Sequence, residues 1–151
     1  MIPVIHVTDL HHPPHDVDDI YDIATLYGMP EVDVRAVLLD YLGDVGEDSK
    51  MYEPGFIPAA QLNWLTAKAV PVAAGPGSRL MSPDDPGERY PVQEQSAIEL
   101  FLKVLRESKG PVRVTSVGSC RIIACAFNRD FDLCKKMIDA VYGMEVRGGP
   151  A

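Results

Sequence analysis

Residues 3–19 read PVIHVTDLHHPPHDVDD, and this stretch predicts both the start of the fold and a site. An apolar segment typical of a β-strand stops at Asp9, a loop rich in histidine and proline follows, and paired aspartates open a helix. Four acidic residues and three histidines lie within eleven positions: Asp9, Asp16, Asp18, Asp19, His11, His12 and His15. Carboxylates this close repel one another unless a cation, a proton or a substrate hydroxyl lies among them. Helix capping explains one aspartate but not four, so we interpret the cluster as functional.

Apolar strand-like and helix-like segments alternate along the rest of the chain. Predicted strands cover residues 3–8, 32–39, 69–74, 112–117 and 141–146, and predicted helices cover 18–28, a segment from Pro58, 92–108, 122–127 and 131–140. On the second helix, Ala59, Leu62, Leu65 and Ala69 are expected along one side. The alternation predicts an α/β fold with a Rossmann-like, mainly parallel sheet flanked by helices. The length of 151 residues favours a single domain spanning 1–151.

Several chemically useful residues come directly after predicted strands. Asp9, Asp40, Gly75 and Gly118 each follow one. In parallel α/β sheets, ligands bind beyond the carboxyl ends of the strands. We therefore expect these four residues to ring one site.

The overall charge and composition limit the classes of partner. A net charge of −8 with no dense basic run argues against a nucleic-acid polymer or an anionic membrane surface as partner. The three cysteines, which have no paired spacing, suit buried thiols in a reducing compartment. No signal peptide and no membrane-spanning run are evident, so we expect a cytoplasmic protein that binds a small polar molecule or a cation.

The acidic cluster suggests metal chemistry. Asp9 at a strand end and Asp18–Asp19 at a helix start can converge. Oxygen ligands favour calcium or magnesium, whereas recruitment of the loop histidines favours zinc, iron or manganese. A bound cation lowers the pKa of a water, and a neighbouring carboxylate can accept its proton.

Ordered segments across nearly the whole chain resemble the inosine–uridine preferring nucleoside hydrolase family. They are VIHVTD (4–9), a loop (10–17), DDIYDIATLYGMPEVDVRAVLL (18–39), AVPVAAG (69–75), VRVTSVGSCRIIACAFNRD (112–130) and MEVRGG (144–149). They resemble the family's strand ending in Asp, its Asp-Asp helix start, and its later strands with their glycines. The resemblance is to the N-terminal half of the family, whose members are about twice as long.

The resemblance implies a role for individual residues. Asp9 would be a calcium ligand and the base that activates water, and Asp19 a bidentate calcium ligand. Asp18 would bind ribose hydroxyls, and Asp44 is near the position of a sugar-binding Asn in the family. Arg121 would offer its backbone carbonyl to the metal. The implied reaction is hydrolysis of the N-glycosidic bond of ribonucleosides by a calcium-activated water.

The chain departs from the family pattern at three points. The loop between Asp9 and Asp18 is longer and carries its own histidines, and Ser119–Ile122 replaces a Pro-Leu-Thr-Asn sequence. The family's second half, which supplies another aspartate ligand and further sugar-binding residues, has no counterpart. The chain is then a fragment, one part of a split protein or a shortened relative, and we expect it to be catalytically incomplete alone. Besides the small-molecule nucleoside substrate, the candidate partners are a complementary C-terminal half and a second copy of the chain in a homo-oligomer.

Two alternatives stay open. One is a metal- and ribosyl-binding domain that retains the carboxylates without turnover. The other is a calcineurin-like metallophosphoesterase, because VTDLHH also resembles that family's Asp-x-His start, with Asp9 and His11 as metal ligands. His15 is the last histidine of the chain, and that family needs later ones, which disfavours the second alternative.

Overall fold

The computed structural model describes residues 1–10, 18–40 and 55–143. The elements in chain order are β1 (Ile2–Thr8), α1 (Asp18–Gly28), β2 (Val32–Leu39), α2 (Phe56–Thr66), β3 (Val72–Ala74), α3 (Val92–Glu107), β4 (Val112–Ser116), α4 (Arg121–Arg129), α5 (Phe131–Met137) and β5 (Ile138–Gly143). Strands and helices alternate as the sequence predicts.

The strands form one parallel sheet in the order β3-β2-β1-β4-β5. This confirms the predicted Rossmann-like α/β fold. The chain builds outward from β1 through β2 to β3, and then continues on the other side of β1 with β4 and β5. The gap between the carboxyl ends of β1 and β4 is therefore the topological switch point, where ligands bind in sheets of this kind.

Apolar residues cover both faces of the sheet. On one face, Ile5 and Val7 of β1 join a core centred on α3, in which Phe101 is fully buried. On the other face, Val4 packs with a second core that includes Ile23 and Tyr27 of α1. A strand between two helical layers is apolar on both sides, which explains why β1 and β2 are nearly continuous apolar runs.

The C-terminal elements differ from the prediction. The helix expected over 131–140 ends at Met137, and the strand expected from Val141 begins at Ile138. Ile138 adopts the β-strand conformation instead of continuing α5, because it pairs with Val112 in the sheet. From there β5 runs alongside β4 to Gly143. The pairing supplies backbone hydrogen bonds from an element far away in sequence, and these override the local helical pattern.

The prediction for α2 is also wrong in detail. The helix begins at Phe56, and Leu65, which was expected on the buried side, is 71% exposed. Trp64 beside it is 82% exposed. The apolar residues of this helix are distributed around its whole circumference, so their spacing does not specify one buried face. The strand after α2 starts at Val72, because Pro71 has no N–H to donate to the sheet.

In the described ranges, no helix combines the length and the apolar character that crossing a membrane requires.

Candidate functional site at the carboxyl edge of the sheet

Asp9 and Asp40 follow the neighbouring strands β1 and β2. Thr8 pairs with Leu39 in the sheet, and the Asp40 N–H donates to the Thr8 carbonyl at 2.8 Å. The register therefore places Asp9 and Asp40 beside each other at the carboxyl edge. Asp40 is 2% exposed, whereas Asp9 is partly exposed at the mouth of the switch point.

Gly118 closes this corner from the β4 side. An added Cβ on Gly118 would lie 3.2 Å from the Asp40 Cβ and 3.2 Å from the Asp9 nitrogen. A side chain at this position would require one of these neighbours to shift by a few tenths of an ångström, so glycine favours the observed close approach. The structure thus brings Asp9, Asp40 and Gly118 together.

The Asp40 carboxylate accepts one hydrogen bond from the loop before α4 and one from the first residue of α4. Its Oδ2 accepts from the Ser119 backbone N–H at 2.7 Å, and its Oδ1 accepts from the Arg121 guanidinium at 2.9 Å. The Arg121 Nε donates to the Ser119 Oγ at 2.7 Å, which completes a closed network. Burial raises the pKa of Asp40, while the Arg121 charge and the Ser119 N–H act in the opposite direction. We interpret the group as an ion pair, because both oxygens face donors.

Asp18 and Asp19 occupy the first turn of α1. Asp19 is buried at 4% exposure and Asp18 is exposed. A helix that follows a strand in a parallel α/β unit starts at the carboxyl edge, so both carboxylates begin on the same side of the sheet as Asp9. Their negative charges also lie at the positive end of the helix dipole.

The loop after β3 packs against α4 and against the end of β2. The Gly75 N–H donates to the Leu39 carbonyl at 2.8 Å, and an added Cβ would lie 2.5 Å from Ile122 of α4. Farther along, Asp85 accepts hydrogen bonds from the backbone N–H groups of Met81 and Gly87. These two bonds lower the pKa of Asp85 and hold the loop in one conformation.

The donors at this edge suit a hard cation in type, and calcium is the metal that the family resemblance implies. Asp9 and Asp19 supply carboxylate oxygens, and the buried Thr8 Oγ1 has no hydrogen-bond partner among the described residues. Within 1–10, 18–40 and 55–143, no group of three or more His, Cys, Asp and Glu side chains is placed to hold a metal. A calcium ion here would therefore need backbone oxygens, waters or residues outside these ranges.

The predicted site residues have different outcomes. Asp9, Asp18, Asp19 and Arg121 all lie at or start from the carboxyl edge, but their roles stay predictions. Asp44 lies outside the described residues, as do the loop histidines. The prediction from sequence did not include the Arg121 side chain, which binds Asp40 across 81 positions. The available signal was an acidic residue directly after one strand that flanks β1 and a basic residue at the start of the helix that follows the other.

The fold and the strand-end carboxylates define a parallel α/β protein with a polar site at its switch point. Two solved structures have a similar fold. A plant nucleoside hydrolase superposes with a TM-score of 0.65 and 20% sequence identity, over 94% of this chain and 47% of that protein. The inosine-uridine preferring nucleoside hydrolase from Bacillus anthracis superposes with a TM-score of 0.69 and 16% identity, over 99% of this chain and 54% of that protein.

The fold is therefore nucleoside hydrolase-like, and the chain spans about half the length of these two structures. No protein-family model matches the sequence, and comparison with curated proteins gave no match.

Proposed function

We propose that this chain carries the N-terminal, carboxylate-bearing part of an enzyme that hydrolyses the N-glycosidic bond of ribonucleosides. One observation carries the proposal. In a nucleoside hydrolase-like fold, Asp9 lies at the switch point next to Asp40 and Gly118, and the aspartate pair of α1 starts from the same edge.

The proposed ligands and contacts follow the family resemblance. Asp9 and Asp19 bind calcium through their carboxylates, with the Arg121 backbone carbonyl as a further ligand. Asp18, which is exposed, binds ribose hydroxyls. Asp44 is proposed as a second sugar contact. Calcium, when bound, lowers the pKa of a coordinated water.

In the proposed reaction, the water oxygen forms a bond to the anomeric carbon of the ribose, and the bond from this carbon to the base nitrogen breaks. The bonding electron pair leaves with the base, and Asp9 accepts one proton of the water. The departing base nitrogen takes up a proton, and in the family that the chain resembles the second half assists this departure. The products are ribose and the free base.

The half-length match favours one second candidate function. A chain that spans about half of the compared hydrolases can retain the carboxylates and bind a metal and a ribosyl group without turnover. Binding and hydrolysis are separate measurements, so one set of variants distinguishes the two functions.

Calcium binding by titration calorimetry is the first test. We expect the wild-type chain to bind calcium, and Asp9→Ala and Asp19→Ala to weaken binding beyond the roughly 10- to 100-fold that loss of a supporting residue costs. Asp22→Ala is the matched control, since Asp22 is an exposed carboxylate on the same helix as Asp19. Equal affinity in the wild type, Asp9→Ala and Asp19→Ala would refute the metal assignment.

Release of free base from inosine or uridine, followed by ultraviolet absorbance, is the second test. Calcium-dependent release that Asp9→Ala abolishes supports hydrolysis. Since the proposed function places only the N-terminal part of the enzyme on this chain, the assay is run on the chain assembled with a complementary C-terminal half. Calcium binding without release by that assembly supports the binding domain instead.

A further inference from the structure

The Asp40 side chain crosses over the end of the central strand. Asp40 belongs to the β2 side of β1, whereas its two bonding partners, Ser119 and Arg121, follow β4 on the other side. The carboxylate therefore links two strands that do not touch each other. Asp9, at the end of β1, lies next to this link, because an added Cβ on Gly118 would be 3.2 Å from both the Asp9 nitrogen and the Asp40 Cβ.

The link joins the end of β2 to the β4–α4 loop (residues 117–120). At its start, the Val117 N–H donates to the Val7 carbonyl at 3.0 Å, as in regular sheet pairing. Beyond Val117, the Ser119 N–H donates to Asp40 and ties the loop backbone across to β2. A buried carboxylate that accepts a backbone N–H makes a strong, directional bond of the charge-assisted kind.

Arg121 offsets the cost of burying the Asp40 charge. Its side chain is 18% exposed and lies against the buried Asp40 carboxylate. A buried carboxylate without a partner is costly, whereas a planar guanidinium can bind Asp40 and the Ser119 hydroxyl together. The pair also adds no net charge beside Asp9, so it does not compete with a cation for that carboxylate.

We propose that Asp40 is a positioning residue: it holds the β4–α4 loop against Asp9 and so fixes the backbone of that loop at the proposed site. The consequence for metal binding depends on the proposed function, whereas the consequence for loop position does not. The Arg121 backbone carbonyl follows this loop directly, so release of the loop displaces a proposed calcium ligand.

Amide hydrogen exchange on the whole chain tests the loop position. In Asp40→Ala we expect the Ser119 amide to exchange about tenfold faster, because its buried acceptor is lost. The Val117 amide, bonded to β1, is expected to be unchanged. Asp40→Asn retains an acceptor oxygen and is expected to restore protection of Ser119.

Two exchange results would overturn the proposal. One is an unchanged Ser119 amide in Asp40→Ala. The other is equal acceleration of the Ser119 and Val117 amides, which would indicate general loosening rather than loss of one link. Asp40→Leu covers the case in which Asp40→Ala does not fold, because it fills a similar space without an acceptor for the Ser119 N–H. An unchanged Ser119 amide in a folded Asp40→Leu chain would overturn the proposal in the same way.

Calcium titration tests the connection to the site. We expect Asp40→Ala to bind calcium about 10- to 100-fold more weakly than the wild type. Asp33→Ala is the matched control, because it removes a carboxylate from the opposite end of the same strand and is expected to stay within about twofold.

The outcomes separate the two proposals. A wild-type chain that binds no calcium refutes the proposed metal function, while hydrogen exchange still decides the loop position. A wild-type chain that binds calcium, with Asp40→Ala binding equally well, leaves the proposed function standing and refutes the positioning role at the site.

Discussion

His6 is expected to make the fold acid-sensitive. It lies in the central strand at 1% exposure, with its Nδ1 2.9 Å from the Thr115 hydroxyl. Its Nε2 has no hydrogen-bond partner in the part of the chain that the structure describes. Burial lowers the pKa of His6 from 6.5 to about 4, because a charged imidazolium there would lose its hydration.

The magnitude follows from that shift. Below pH 6.5, His6 is protonated in the unfolded chain, whereas in the folded chain it stays neutral until the pH falls to about 4. The stabilisation is therefore fully present above pH 6.5 and is lost progressively as the pH falls towards 4. A shift of this size corresponds to about 3 kcal/mol, since one pKa unit is worth about 1.4 kcal/mol. Small domains unfold with about 5–15 kcal/mol in total, so the loss is large.

Urea unfolding followed by far-UV circular dichroism measures the effect between pH 7.5 and 4. The wild type is compared with His6→Gln, whose side chain does not titrate but can still bond to Thr115. Other titrating groups are common to both proteins, so the difference between their free energies of unfolding isolates His6. We expect the wild type to lose about 3 kcal/mol more than the variant over this range. Parallel curves for the two proteins would refute the assignment.

Two further predictions concern packing and backbone conformation. Phe101→Ala is expected to lower the free energy of unfolding by about 3–5 kcal/mol, because Phe101 is fully buried. Trp64→Ala is its control, since Trp64 is 82% exposed and its replacement should change this free energy by no more than about 0.5 kcal/mol. Urea unfolding midpoints measure both effects. Gly87→Ala is expected to cost about 2–3 kcal/mol, because Gly87 has φ +72° and an added Cβ would lie 2.8 Å from the Cys125 Sγ. Gly110→Ala, where nothing lies within 4 Å, is its control; equal melting temperatures for the two glycine variants would contradict this reasoning.

The N-terminal half of the fold could be predicted well from sequence for a physical reason. β1, α1 and β2 are adjacent in the chain and in space, and their patterns change sharply at Asp9, Asp18 and Gly28. The bounds of α1 and β2 agree with the prediction at both ends. Parallel topology alone was then enough to bring Asp9 and Asp40 to one edge.

Contacts between distant parts of the chain were beyond prediction from local patterns. The end of α5 depends on pairing between Ile138 and Val112, and the Asp40–Arg121 ion pair joins residues 81 positions apart. The same ion pair gives a structural meaning to Ser119–Ile122, where the sequence differs from the Pro-Leu-Thr-Asn of the family that it resembles. In this protein, that departure supplies the partners of Asp40.

Exposure of Trp64 has a spectroscopic consequence. It is the one tryptophan of the chain, and its indole is already surrounded by water in the folded state. Its emission should change little when the protein unfolds, so fluorescence would report few of the transitions considered above. A shift of that emission to shorter wavelength would instead report another molecule covering α2, which makes the native indole a label-free probe of association at that helix.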